Sequence, residues 1–168
     1  MSSKADQTAS LQPVDSALYR RACAQFATGI TVVTVTDQGG IPHGLTVNSF
    51  ASVSLNPPLV LVSIDLRNAK LGHFLAGSHF GINILADDQE DLSRRFSQPL
   101  ENRFEGVAWH HGPAGTPLLD GVLARLECAV VKSFEAGDHI VLLGETKHGA
   151  FREGKPLLYF NSRYQNLA

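Results

Sequence analysis

The sequence predicts a mainly β protein, an antiparallel barrel with a few peripheral helices, and three observations lead there. Runs of β-branched and aliphatic residues of strand length recur along the chain, Ile30–Thr36 and Leu59–Ile64 among them. Turn-forming clusters close them, as in Asp37-Gln38-Gly39-Gly40, Asn56-Pro57-Pro58 and Glu135-Ala136-Gly137-Asp138. Strand also follows strand without the regular helical crossovers that a parallel sheet requires. The 168 residues suffice for one core, and 14 Lys plus Arg against 16 Asp plus Glu give a formal charge of −2. With no Lys/Arg block, this balance argues against a nucleic-acid or membrane-surface partner, because phosphate neutralisation needs clustered cations. No window approaches the roughly 18 apolar residues that cross a bilayer, and the polar N-terminus has no apolar stretch behind it, so a cytoplasmic location is expected. Cys23 and Cys128 sit far apart in apolar contexts and read as buried free thiols.

Residues 1–14 lack periodicity and read as a flexible leader, with the folded domain over 15–168. From Asp15 onward Leu18, Ala22 and Phe26 recur every four residues before Gly29, which predicts one amphipathic helix. Ile30–Thr36 predicts a strand. The stretch Leu45 to Leu55 predicts a second: its odd positions are apolar apart from Ser49, and its even positions carry Thr46, Asn48, Phe50, Ser52 and Ser54. One face then enters a core while the other carries hydrogen-bonding groups. Leu59–Ile64 resumes as a strand after the Pro-Pro break, Asn68 to Ala76 predicts a short helix, and His79–Leu85 another strand. Asp87-Asp88-Gln89-Glu90 has the look of a capping box, placing a helix over Asp88 to Phe96 that ends in Arg94-Arg95. Residues 97–120 scatter prolines, glycines and aromatics without period and read as a long functional loop. Beyond Gly121 come an alternating strand, a hairpin turn at 135–138, a strand over 139–145 and a last strand over Leu157 to Phe160.

Several chemistries lose their main signal. No Gly-x-Gly-x-x-Gly follows a strand, and neither a P-loop nor a Gly-x-Ser-x-Gly elbow is present. The histidines do not fall at metal-ligand spacing, so no metal site is expected. The polar face of Leu45–Leu55 offers the donors and the aromatic contact that a flat heterocycle needs, although a solvent-facing sheet has the same composition. With Asn83 on a neighbouring strand and Arg94-Arg95 at a helix end, the set suits a phosphorylated ring cofactor. Arg94-Arg95 equally complement a helix macrodipole. Gly137-Asp138-His139 launches a strand with His139 at its mouth, as plain turn chemistry or as a positioned imidazole.

Three segments taken together resemble a known family: Phe26-Ala27-Thr28-Gly29-Ile30-Thr31-Val32-Val33-Thr34, the run from Gly44 through Val60, and Gly137-Asp138-His139. They are similar to the short-chain flavin reductases, the NAD(P)H-dependent components of two-component flavin monooxygenases. The similarity runs from about Ser16 to Tyr164. The resemblance implies an FMN-binding split-barrel fold, a homodimer, and hydride transfer from NADH or NADPH to FMN or FAD, with the reduced flavin supplied to a partner oxygenase. Carried over position by position, Thr46, Val47, Asn48 and Ser49 are expected at the isoalloxazine edge, with Ser52 on the same strand face. Ser63 to Lys70 is expected near the ribityl phosphate, through Asn68, Ala69 and Lys70, although many relatives carry a hydroxyl residue in that stretch and this chain has Ala69. Asn83 matches a position near the ring, Arg94, Arg95 and Phe96 the phosphate side, and His139 the histidine where nicotinamide stacks; Tyr164 belongs to the closing aromatic segment. A flavin carrier or sensor of the same barrel, without turnover, is the alternative, and Gly137-Asp138-His139 is the feature such a carrier has no reason to keep.

Overall fold

A computed structural model describes residues 13–167. The expected leader, 1–14, therefore lies almost wholly outside the described residues. The elements in order are α1 (Ser16–Cys23), β1 (Thr28–Gly29), β2 (Thr31–Thr36), β3 (Pro42–Val47), β4 (Ala51–Leu55), β5 (Pro58–Asp65), α2 (Leu71–Ala76), β6 (His79–Ile84), α3 (Glu90–Ser97), β7 (Trp109–His111), β8 (Pro117–Leu119), β9 (Ala124–Ala136), β10 (His139–Phe151), β11 (Leu158–Phe160) and β12 (Arg163–Gln165).

Seven strands form one antiparallel sheet in the order β3-β2-β6-β9-β10-β5-β4. Val33 and Val35 from β2, Leu45 and Val47 from β3, Val60, Val62 and Ile64 from β5, Phe80 and Ile82 from β6, and Ile140 and Leu142 from β10 share a single buried cluster. Because β3 at one edge and β5 beside the other pack on the same cluster, the sheet rolls into a barrel that stays open between its edge strands β3 and β4. A second cluster, with Ile30, Val32, Leu85, Phe96, Phe104, Leu119 and Leu157, lies against the outer face of β2. Burial on both faces explains why Thr31–Val35 is an unbroken run of β-branched residues rather than an alternation.

Five expectations are corrected. The predicted strand Leu45–Leu55 is two strands, interrupted at Asn48, Ser49 and Phe50, and the alternation does not carry through: Leu45 and Val47 are buried whereas Val53 and Leu55 are exposed. The first helix forms with Asp15 as its N-cap, accepting from Ala17 N–H at 2.8 Å, but it ends at Cys23, and none of its residues is buried. Cys23 is accordingly exposed, and only Cys128 of the two thiols is buried. The capping box at 87–90 does not close; Gln89 Oε1 instead accepts from Ala86 N–H at 2.9 Å, and α3 begins at Glu90. Residues 97–120 contain the β7–β8 hairpin and the buried Phe104, Leu118 and Leu119, so the expected loop also contributes to the core.

Strands β9 and β10 pair through Phe151, longer than their apolar pattern shows, because beyond Glu145 β10 runs Thr146-Lys147-His148-Gly149-Ala150-Phe151, largely exposed and without apolar alternation. Gly144 lies where this arm meets the barrel. A Cβ there would stand 2.5 Å from the Phe80 ring and 2.9 Å from Cys128 Cβ. Gly144→Ala is therefore expected to lower stability by about 1–3 kcal/mol through overpacking, measured as a lower urea midpoint with an unchanged slope.

Candidate active site

The expected site residues fall into three exposed groups and a buried remainder. At the seam between β3 and β4, Ser49 Oγ donates to Ser63 C=O at 2.9 Å and accepts from Ser63 N–H at 3.0 Å. This reciprocal pair holds the 48–50 break against β5 and leaves the Asn48 side chain exposed beside it. Farther along, His139 stands opposite Asp65, two residues beyond Ser63, so Ser63, Asp65 and His139 line one face of β5 and β10. Ser52 is not on that face. It pairs with Val60, a core residue, after a break and next to a register shift, so its expected place with Thr46 and Asn48 is lost.

The His139 end is a small charge network. His139 Nδ1 lies 2.7 Å from Asp138 Oδ1, and Arg67 grips Asp65 through two bonds, Nε to Oδ1 at 3.0 Å and Nη2 to Oδ2 at 2.7 Å. Hydrogen bonds from the Arg67 side chain, and then from its backbone N–H, hold the Asp65 carboxyl below the ordinary carboxylate range, and His139 does the same for Asp138. The imidazole is half-exposed and oriented by its neighbour's carboxylate, an arrangement suited to stacking against a planar ring.

The second group gathers at α3 and β12. Thr46 Oγ1 donates to Ser93 C=O at 2.6 Å, Ser93 Oγ meets Tyr164 OH at 2.9 Å, and the Arg94 guanidinium lies 4.8 Å above the Tyr164 ring while pairing with Glu90. The third is the turn before α2. Asn68 Oδ1 accepts from Lys70 N–H at 2.9 Å, which leaves Ala69 exposed and brings Lys70 to a cleft of about 950 Å³ with His43, Arg95 and Trp109. Arg95 is only partly free there, since it donates to Arg103 C=O at 2.7 Å and Glu105 C=O at 2.6 Å and so fastens the 97–107 segment.

Val47, Asn83 and Phe96 stand apart from these surfaces. Val47 packs in the barrel core. Asn83 is fully buried and its amide is consumed, with Nδ2 donating to Val32 C=O at 3.0 Å and Oδ1 accepting from Leu119 N–H at 2.8 Å. Phe96 is fully buried edge-on to Phe104, centroids 5.0 Å apart. Sequence reasoning also missed two neighbours of the expected residues. Arg67 signals itself by its Asp65-Leu66-Arg67 spacing, whereas Trp109 gives no local signal because a segment distant in sequence from β3 carries it into the cleft.

These surfaces sit on a mainly β, open antiparallel barrel with hydrogen-bonding side chains along its seam. Comparison with known proteins gives the lineage: residues 23–168 match the family described as flavin reductase like domain, and the chain belongs to it. It is 43% identical over 145 residues to the FMN reductase (NADH) SmoA of Agrobacterium fabrum, which spans 86% of this chain and 82% of the relative. It is 41% identical over 145 residues to the reductase component of the flavin-dependent trigonelline monooxygenase of Acinetobacter baylyi, covering 86% of this chain but 47% of that protein. The NADH:FAD oxidoreductase SgcE6 of Streptomyces globisporus, solved with NAD and FAD fragments, superposes with a TM-score of 0.86 at 35% identity, over 94% of this chain and 98% of that one.

The Asp65 network has a signed pH dependence. A carboxyl held low in the folded state contributes stability above about pH 3.9, the unfolded value, and loses it as pH falls further. The melting temperature of the wild type is expected to exceed that of Asp65→Asn at pH 7, and the gap should narrow below about pH 4. A gap that stays constant from pH 7 to pH 3 contradicts this account.

Proposed function

We propose that this chain is an NADH-dependent flavin reductase that passes hydride from the nicotinamide to FMN or FAD and releases reduced flavin to a separate oxygenase. The observation that carries the reading is the pairing of two features on one sheet face: the seam held by Ser49 and Ser63, and His139 of β10, which stands opposite Asp65 two residues farther along β5. The flavin supplies the chemistry, accepting hydride at N5 from nicotinamide C4. The chain's own residues orient the partners. The backbone N–H groups of 46–49 and the exposed Asn48 side chain meet the edge where negative charge develops, and His139 lies against the nicotinamide. Lys70 from the α2 turn and Arg94 from α3 take the phosphate side as placed cations. Thr46, Asn83 and Phe96 shape the site from behind through their bonds and packing.

The relatives' names favour a reductase over a carrier or sensor, because both curated proteins compared above are named as a reductase or a reductase component. One is named for FMN and NADH and the solved neighbour for NADH and FAD, which supports NADH as the donor and leaves both flavins as candidates. The chain spans about half the length of the trigonelline enzyme's reductase, so the partner oxygenase enters through the shared domain alone. A homodimer completes the reading. Helix α1 has no buried residue, Phe26 is 77% exposed and Leu55 96%, and Val53, Val131 and Phe134 are exposed as well, apolar side chains that a second copy would cover. Among the described residues no helix is long and apolar enough to cross a membrane.

The test is a two-by-two kinetic matrix of NADH and NADPH against FMN and FAD on the purified protein. Loss of the NADH absorbance band on adding either flavin is expected; no oxidation in any of the four combinations overturns the reductase reading. His139→Ala should lower kcat by roughly 10- to 100-fold with flavin affinity retained, by fluorescence titration. Complete loss of flavin affinity in that variant counts against placing His139 at the nicotinamide.

A further inference from the structure

We propose that Asp37, His43 and His73 form a binding site for a borderline divalent transition-metal ion of the zinc or cobalt type, which clamps α2 to the β2–β3 hairpin. The three residues come from separate places, the hairpin turn, β3 and α2, and their donor atoms all lie within 4.8 Å of one another. Asp37 Oδ1 accepts from Gly39 N–H at 2.8 Å and Ile41 N–H at 2.9 Å, so the backbone fixes the carboxylate and turns Oδ2 towards the imidazoles. His43 Nε2 is 2.9 Å from Oδ2 and His73 Nδ1 is 3.9 Å from it. Ligand bonds of about 2.0–2.2 Å put neighbouring donors of a tetrahedral ion about 3.3–3.5 Å apart, and the two observed distances straddle that value. Two imidazole nitrogens with one carboxylate oxygen suit zinc or cobalt, whereas magnesium and calcium take oxygen sets. A cavity of about 500 Å³, lined by Asp37 and His73, opens beside the cluster and gives an entry path with room for water at the remaining position.

The two imidazoles are stacked, with centroids 3.7 Å apart and planes within 10°. Each nitrogen lone pair lies in its ring plane, so stacked rings cannot both aim at one ion. Loading therefore turns one ring out of the stack. The His73 side chain is 36% exposed and that of His43 10%, so His73 moves while His43 stays and the proton it shares with Asp37 leaves Nε2. Burial, and then the neighbouring His43, hold the His73 imidazole below the ordinary histidine range, which keeps it in the neutral form that ligates. Helix α2 follows directly on Asn68, Ala69 and Lys70, so the ion braces that turn from behind.

The test uses the full chain stripped with a chelator and titrated with zinc by calorimetry, followed by imidazole NMR of the wild type. One ion per chain is expected, with affinity weakened about tenfold or more in Asp37→Asn and in His43→Gln and kept in His148→Gln. In the wild type, zinc should shift the His43 and His73 ring signals and leave those of His110, His139 and His148 in place. Absence of stoichiometric binding, undiminished binding in both ligand variants, or shifts confined to the other histidines overturns the proposal.

Discussion

The barrel depends on how it manages one discontinuity, the break at Asn48–Phe50, and the Ser49 hydroxyl is what manages it. A rolled sheet whose two edges are consecutive in sequence leaves backbone groups unpaired along its seam, and an unpaired buried group costs about 1–3 kcal/mol. Ser49 meets both the N–H and the C=O of Ser63 across that seam and stands in for the strand partner that β5 lacks there. The seam stays open without being unsatisfied. That condition leaves Asn48 exposed directly after β3, whose Leu45 and Val47 remain in the core.

Charge follows the same economy of placement. The protein is nearly neutral, and its cations near the proposed site are held individually by their surroundings: Lys70 by the turn that Asn68 closes, Arg94 by Glu90 and the Tyr164 ring, and Arg67 by Asp65. Other cations have been spent on structure. Arg95 and Arg103 bond to backbone carbonyls of the 97–107 segment and of Gly44, fixing the wall of the Lys70 cleft. The adjacent Arg94 and Arg95 thus do different work, because a helix turns successive side chains about 100° apart.

The fold class was readable because β-branched runs and turn clusters are local signals, and β2, β5 and β6 fall close to where periodicity puts them. Continuity was misread at Leu45–Leu55, since the residue types keep a two-residue period across the 48–50 break although burial does not: Val53 and Leu55 on the edge strand β4 are exposed. Amphipathic spacing located α1 but not its burial, because among the described residues Leu18 and Tyr19 are left exposed. At the site, the resemblance supplied His139, Asn48 and Lys70, which the structure leaves accessible. It also supplied Asn83 and Phe96, which are buried by segments distant in sequence, Asn83 bonding to Leu119 and Phe96 packing on Phe104. The stacked His43 and His73, with Asp37, escaped a search by linear spacing because three elements bring them together.

The role of Ser49 is tested most directly by hydrogen exchange at the Ser63 amide in Ser49→Ala, read together with flavin affinity. Losing the hydroxyl leaves that N–H without its acceptor, so protection at Ser63 should fall at least about fivefold, with weaker flavin binding and core amides such as Val62 unchanged. Unaltered protection at Ser63 together with unaltered flavin affinity would contradict the account, because the open seam would then be held by something other than this side chain.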